Sequence, residues 1–83
     1  MSNATFDRIA RVLNAVLGIP AAQVTEATSQ NTTDGWDSLN HIHLVAALES
    51  EFAISFSTDE ALEMTSVSAM VHALRNHGIS DLG

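Results

Sequence analysis

Between Leu39 and Phe52 the chain contains neither glycine nor proline, and its apolar residues recur at the helical period. Wound as a helix, the stretch gathers Leu44, Val45, Leu48 and Phe52 on one face, which marks that face as core. His41 lies close to this face, whereas Asn40, His43, Ala47 and Ser50 lie opposite. Leu39, Ile42 and Ala46 also fall towards the outward side, more apolar surface than solubility requires. Ile42 either packs at the core boundary or docks a partner, Ala46 is either a helix former or part of the same patch, and Leu39 is expected to dock a partner.

The residues before this helix are of the opposite kind. Gln30 to Gly35 contains no apolar side chain and ends in a flexible Asp-Gly step. Ser38 therefore stands in the first helical turn, with its hydroxyl expected to face solvent. Backbone N–H groups at a helix start lack partners, and the helix dipole makes that end partly positive. A phosphate ester on Ser38 suits such a field, and Asp37 suits the capping position.

Asp37-Ser38-Leu39, followed by a periodic helix ending in Leu48-Glu49-Ser50-Glu51-Phe52, resembles the acyl carrier protein family, and the likeness runs from about Phe6 to Leu74. The tripeptide alone would mean little; the helix behind it and the small acidic chain around it give it weight. The resemblance implies that Ser38 carries a 4′-phosphopantetheine arm derived from coenzyme A, with Asp37 and Leu39 flanking the attachment point. It implies a carrier without catalytic activity of its own, because the cofactor supplies the reactive thiol. A phosphopantetheinyl transferase would attach the arm. Ligases, acyltransferases and ketosynthases would load and process the acyl thioester.

The remaining segments fit an all-α fold, a small bundle of three main helices plus one short helix. Phe6, Ile9, Val12, Leu13, Val16 and Leu17 predict a first helix over 5–17, with Thr5 as cap, Gly18 as terminator and Asp7, Arg8, Arg11 and Asn14 outward. Residues 1–4 and 79–83 read as loose ends, leaving an ordered core of about 5–78 in one domain of 83 residues. The long connection 18–37 is expected to hold one helical turn at Ala21–Val24 and to be pinned by Ile19 and Val24. Ile54 and Phe56 read as buried side chains of an extended link. Ser57 and Glu60 form a capping box for a short helix. Thr65 or Ser66 caps a last helix with Val67, Met70, Val71 and Leu74 inward, and Gly78 ends it.

Charge narrows the partners. Ten acidic residues face three arginines and no lysine, a net charge of −7. Nucleic acid and anionic membranes are poor partners for such a chain, and basic protein surfaces are good ones. With no cysteine, no signal pattern and no apolar run of membrane length, the reading is a cytoplasmic monomer. His41 and His43, like His72 and His77, are spaced for different helix faces, so no metal site is expected.

Two other readings of Ser38 are weaker. Serine is common at helix starts without modification. A hydrolase serine would need a preceding strand and a positioned base, and the polar segment before Ser38 is not a strand. Within the carrier family, the residues two and five after the serine are usually acidic in fatty-acid-synthesis carriers. Here they are Asn40 and His43. Trp36 also replaces the small residue common before the Asp-Ser pair, and Gly35-Trp36-Asp37-Ser38 departs from the Gly-Gly-His/Asp-Ser core of peptidyl carriers. A specialised or polyketide-type acyl carrier ranks first, a housekeeping fatty acid carrier second, and an aminoacyl or peptidyl carrier third. From a different class, an unmodified helical interaction module would use the same surface. The expected partner-facing residues are Asn40, Ile42, His43, Ala46, Glu49, Asp59 and Glu60, with acidity also at Glu51 and Glu63.

Overall fold

The computed structural model describes residues 4–79. Four helices follow in order, α1 (Ala4–Leu17), α2 (Ser38–Phe52), α3 (Thr58–Glu63) and α4 (Val67–Asn76), with single 3-10 turns at Ala21–Gln23 and Gln30–Thr32. Three main helices and one short one are what the periodicity predicts. Among the described residues the only extended pairing is an isolated bridge between Ser29 and Ser66.

The core is aliphatic and methionine-rich. Ile9 and Leu13 of α1, Leu44 and Leu48 of α2, and Met70 and Leu74 of α4 are all essentially inaccessible. Val45 is only half-buried, at the edge of the face assigned to it. Ala47, expected outward, packs against the core instead, because α1 lies over that side of α2. Ile54 and Phe56 are half-buried against the core rather than fully enclosed.

Helix ends account for most of the remaining corrections. Thr5 is not a cap but lies within α1, and it is buried; Ala4, expected to be loose, is helical as well. The expectation for residues 1–3 lies outside the described residues. Arg8, expected to face outward, reaches across to the C-terminus of α2. Its Nε donates to a Glu51 carboxylate oxygen at 2.8 Å and its terminal nitrogen to the Glu51 carbonyl at 2.6 Å. Its guanidinium sits 4.2 Å from the centre of the Phe52 ring. α2 has no basic residue in its own last turn, and Arg8 supplies the cation that the negative end of that helix favours.

α2 then closes on Ala53 in the left-handed region (φ 55°), with the Ile54 N–H bonded to the Glu49 carbonyl at 3.1 Å. Alanine there carries a strain that glycine would not. α4 ends more comfortably on Gly78 (φ 83°), and the Ile79 N–H returns to the Leu74 carbonyl at 2.9 Å. Ile79 therefore does not trail off; it packs against the core, as the apolar residue following such a helix end commonly does. The expectation for 80–83 lies outside the described residues.

The long connection earns its length at the start of α4. A helix leaves its first N–H groups without internal acceptors. Here the Val67 N–H donates to the Thr28 carbonyl at 2.9 Å and the Ser68 N–H to the Glu26 carbonyl at 3.2 Å. Ser66, rather than Thr65, caps the third donor, Ala69, at 3.0 Å. The Gln30 N–H bonds to the Thr65 carbonyl at 2.9 Å, and buried Val24 and half-buried Ile19 pin the other half of the connection as expected. The loop thus brings the chain back to α2 in a fixed position.

Candidate cofactor-attachment site

The turn Thr33–Trp36 delivers the chain to α2. The Trp36 N–H bonds to the Thr33 carbonyl at 3.3 Å, and Gly35 at the third position has φ 85°, the conformation for which such turns select glycine. No heavy atom lies within 4 Å of where a Gly35 side chain would begin, so its need is conformational, not steric. Asp37 is the cap as expected, accepting from the Asn40 N–H at 2.8 Å. The Asn40 side chain reaches back to the Gly35 carbonyl at 2.6 Å. Asn40, expected to face partners, is half-buried and braces the turn instead.

Ser38 follows as the first residue of α2 and is exposed. With Asp37 spent on the third N–H, the N–H groups of Ser38 and Leu39 have no acceptor within the helix, and they sit at its positive end. An exposed hydroxyl beside two free donors and a partial positive charge fits a phosphate ester formed on Ser38.

Leu39 and Ile42 are 62% and 63% exposed, so Ile42 is not a core-boundary residue. His43 and Ala46 are exposed on the same helix. Leu62 of α3, 69% exposed, is a third large apolar side chain that sequence reasoning missed. It follows Ala61, whose carbonyl is hydrogen-bonded to His41, and Ile42 follows His41, so both exposed side chains flank the junction of α2 and α3. Asp59 is exposed, but the carboxylates of Glu49 and Glu60 work internally. Glu49 accepts from the Phe56 N–H at 2.8 Å. Glu60 accepts from the Ser57 N–H at 2.8 Å, completing the capping box, and meets His77 Nε2 at 2.8 Å.

The Ser57 N–H, and after it His77, hold the Glu60 carboxyl below its ordinary value of 4.5. A group whose folded value is depressed stabilises the fold above its unfolded value, and that contribution is lost as pH falls through the folded one. On acidification from neutrality, the Ser57 amide resonance is expected to move with a midpoint below 4.5, reporting loss of the cap on α3. In Glu60→Gln that transition should disappear; its persistence would assign the shift to another group.

Two further residues had no role in the sequence reading of the site. Trp36 is 2% exposed, and its indole N–H donates to His41 Nδ1 at 3.1 Å. The other ring nitrogen of His41 lies 2.7 Å from the Ala61 carbonyl. Because an indole only donates and a carbonyl only accepts, the His41 ring here carries its proton on Nε2. Trp36 and His41 are the residue before the cap and the fourth helical residue, the spacing of a hydrophobic staple, which is the signal that would have found them.

Among the described residues no group of three or more His, Cys, Asp or Glu is placed to hold a metal, and no helix is long and apolar enough to cross a membrane. The model of the family described as "Phosphopantetheine attachment site" matches residues 7–74. That span takes in α2, α3, nearly all of α1 and most of α4, with the turn that presents Ser38 at its centre. The chain belongs to this phosphopantetheine-binding family and is a carrier of covalently attached 4′-phosphopantetheine.

Proposed function

We propose that Ser38 is the attachment point, and that the chain is a specialised or polyketide-type acyl carrier whose tethered thiol holds acyl groups as thioesters. The observation that carries the attachment point is the exposed Ser38 hydroxyl in the first turn of α2, directly after the Asp37 cap. The assignment to a specialised pathway rests on the residue types in the first three turns of α2. From Ser38 to Leu48 that helix has no acidic residue, and Asn40 and His43 occupy positions that are acidic in fatty-acid-synthesis carriers. Exposed Leu39, Ile42 and Ala46 supply an apolar docking surface, with exposed Leu62 across the junction and exposed Asp59 on the same short helix as Leu62.

The carrier makes and breaks no bonds of the cargo. Tethering keeps the acyl group at high effective concentration beside whichever ligase, acyltransferase or ketosynthase is docked. Incubation with a broad-range phosphopantetheinyl transferase and coenzyme A should raise the intact mass by one arm. No gain with any transferase would favour the unmodified interaction module.

Leu39→Asp tests the docking surface. The site is exposed, and a carboxylate in the first turn suits the helix dipole, so stability should change by no more than about 0.5 kcal/mol. Turnover of the loaded carrier by its partner should fall roughly tenfold, with the loss in kcat/KM. An unfolded variant would place Leu39 in the core and reverse the assignment.

A further inference from the structure

The short helix α3 contributes no buried side chain to the core. A helix of this length is marginal alone, and packing anchors it only at its ends, through buried Met64 at its C-terminal cap and half-buried Phe56 before it, so polar ties register the turn between. Two such ties leave it. Glu60 holds it to His77 beyond α4, and the Ala61 carbonyl holds it to His41 of α2. The second tie does not stop at His41, because the opposite nitrogen of that ring takes the Trp36 N–H. The two ring planes are 20° from parallel with centres 6.2 Å apart, a separation too long for faces in contact and one that fits the 3.1 Å N–H···N bond between ring edges.

Neutral imidazole can carry its proton on either nitrogen. Trp36 removes that choice: only Nε2 can hold the proton, and it is thereby aimed at Ala61. We propose that His41 is a positioning residue, which registers α3 against the turn that presents Ser38 through the Trp36–His41–Ala61 relay. Movement of α3 and the setting of the Asp37–Ser38 helix start are then coupled, and the coupling must act equally in both directions. Only the part of this proposal that concerns Ser38 rests on reading that residue as the attachment point.

Amide hydrogen exchange at Glu60 and Ala61, both bonded within the α3 cap, reports the relay without any cofactor. Trp36→Phe keeps an aromatic ring but deletes the donor together with part of a buried indole, so a core truncation elsewhere must serve as the control for lost packing. It is expected to speed exchange at both amides roughly fivefold, the worth of one hydrogen bond. His41→Leu should speed it at least as much, and the double variant no more than His41→Leu alone, because one relay is cut once. Val12→Ala, a core truncation in α1, should leave both rates unchanged. Wild-type rates in Trp36→Phe, additive effects, or an equal acceleration in Val12→Ala would overturn the proposal.

Arm transfer supplies the second readout. His41→Leu should lower the kcat of a phosphopantetheinyl transferase about tenfold with KM within about twofold, since the serine is misplaced rather than hidden. An unchanged kcat on a carrier whose wild type loads normally would overturn the role at Ser38. A wild type that takes no arm would instead defeat the attachment reading, and the exchange rates would still decide the relay.

Discussion

Replacing Ser38 with alanine is expected to abolish covalent loading completely while leaving the protein as stable as before. Both halves follow from the start of α2. The cap is Asp37, whose carboxylate accepts the Asn40 N–H, so the Ser38 hydroxyl is free of structural duty there. Alanine is the best helix former, and the side chain it replaces is exposed. The change in stability should lie within about 0.5 kcal/mol. Asp37→Ala, by contrast, should cost about 1 kcal/mol through loss of the cap. Intact mass after incubation with transferase and coenzyme A gives the loading result, and a thermal melt gives the stability. A Ser38→Ala protein that still gains one arm would move the attachment elsewhere. One that melts far below wild type would make Ser38 a structural residue.

The second large effect is expected at Leu48. It is wholly inaccessible in the middle of α2, where neighbouring turns are held by helical hydrogen bonds and cannot close around a lost side chain. Leu48→Ala should therefore cost about 2–5 kcal/mol in transfer and cavity terms together. A chain of 83 residues has only about 4–12 kcal/mol in total, so the variant should melt roughly 10–25 °C lower or fail to fold. Chemical denaturation with an unchanged slope would confirm that the loss is one of stability. A cost below about 1 kcal/mol would mean that α1 and α4 collapse into the gap, and that the core is looser than its burial implies.

Helices were the most legible part of this molecule in its sequence. α2 could be read to the residue because its period is unbroken, its cap precedes it and its outward apolar residues stand out against polar neighbours. The box at Ser57 and Glu60 was equally plain, since both halves of it lie within four residues of chain. Local chemistry of this kind does not depend on what the rest of the chain does.

What escaped the sequence depends on partners far away along the chain. Arg8 looks like an outward side chain until Glu51 and Phe52 are brought to it by the crossing of α1 and α2. Ala47 becomes inward for the same reason, through a surface that a single helix cannot reveal. Glu49 reads as a surface charge, yet the Phe56 N–H claims it, and Glu60, legible as half of a capping box, also meets His77 beyond α4. Trp36 reads as a departure from a family pattern, although its spacing to His41 is that of a staple; only the far end of that contact, at Ala61, required α3.

Main-chain hydrogen bonds from Glu26, Thr28 and Gln30 fasten the chain where it enters α4, and the Glu49 carboxylate fastens it at Phe56. Residues 57–64 therefore hang like a panel between two fixed posts. Swinging that panel aside would expose Met64 and unmake the ties to His41 and His77, while the frame of α1, α2 and α4 kept its own fastenings. Opening on that side would leave the main-chain fastenings of α4 in place and reach the start of α2 only through the His41 tie.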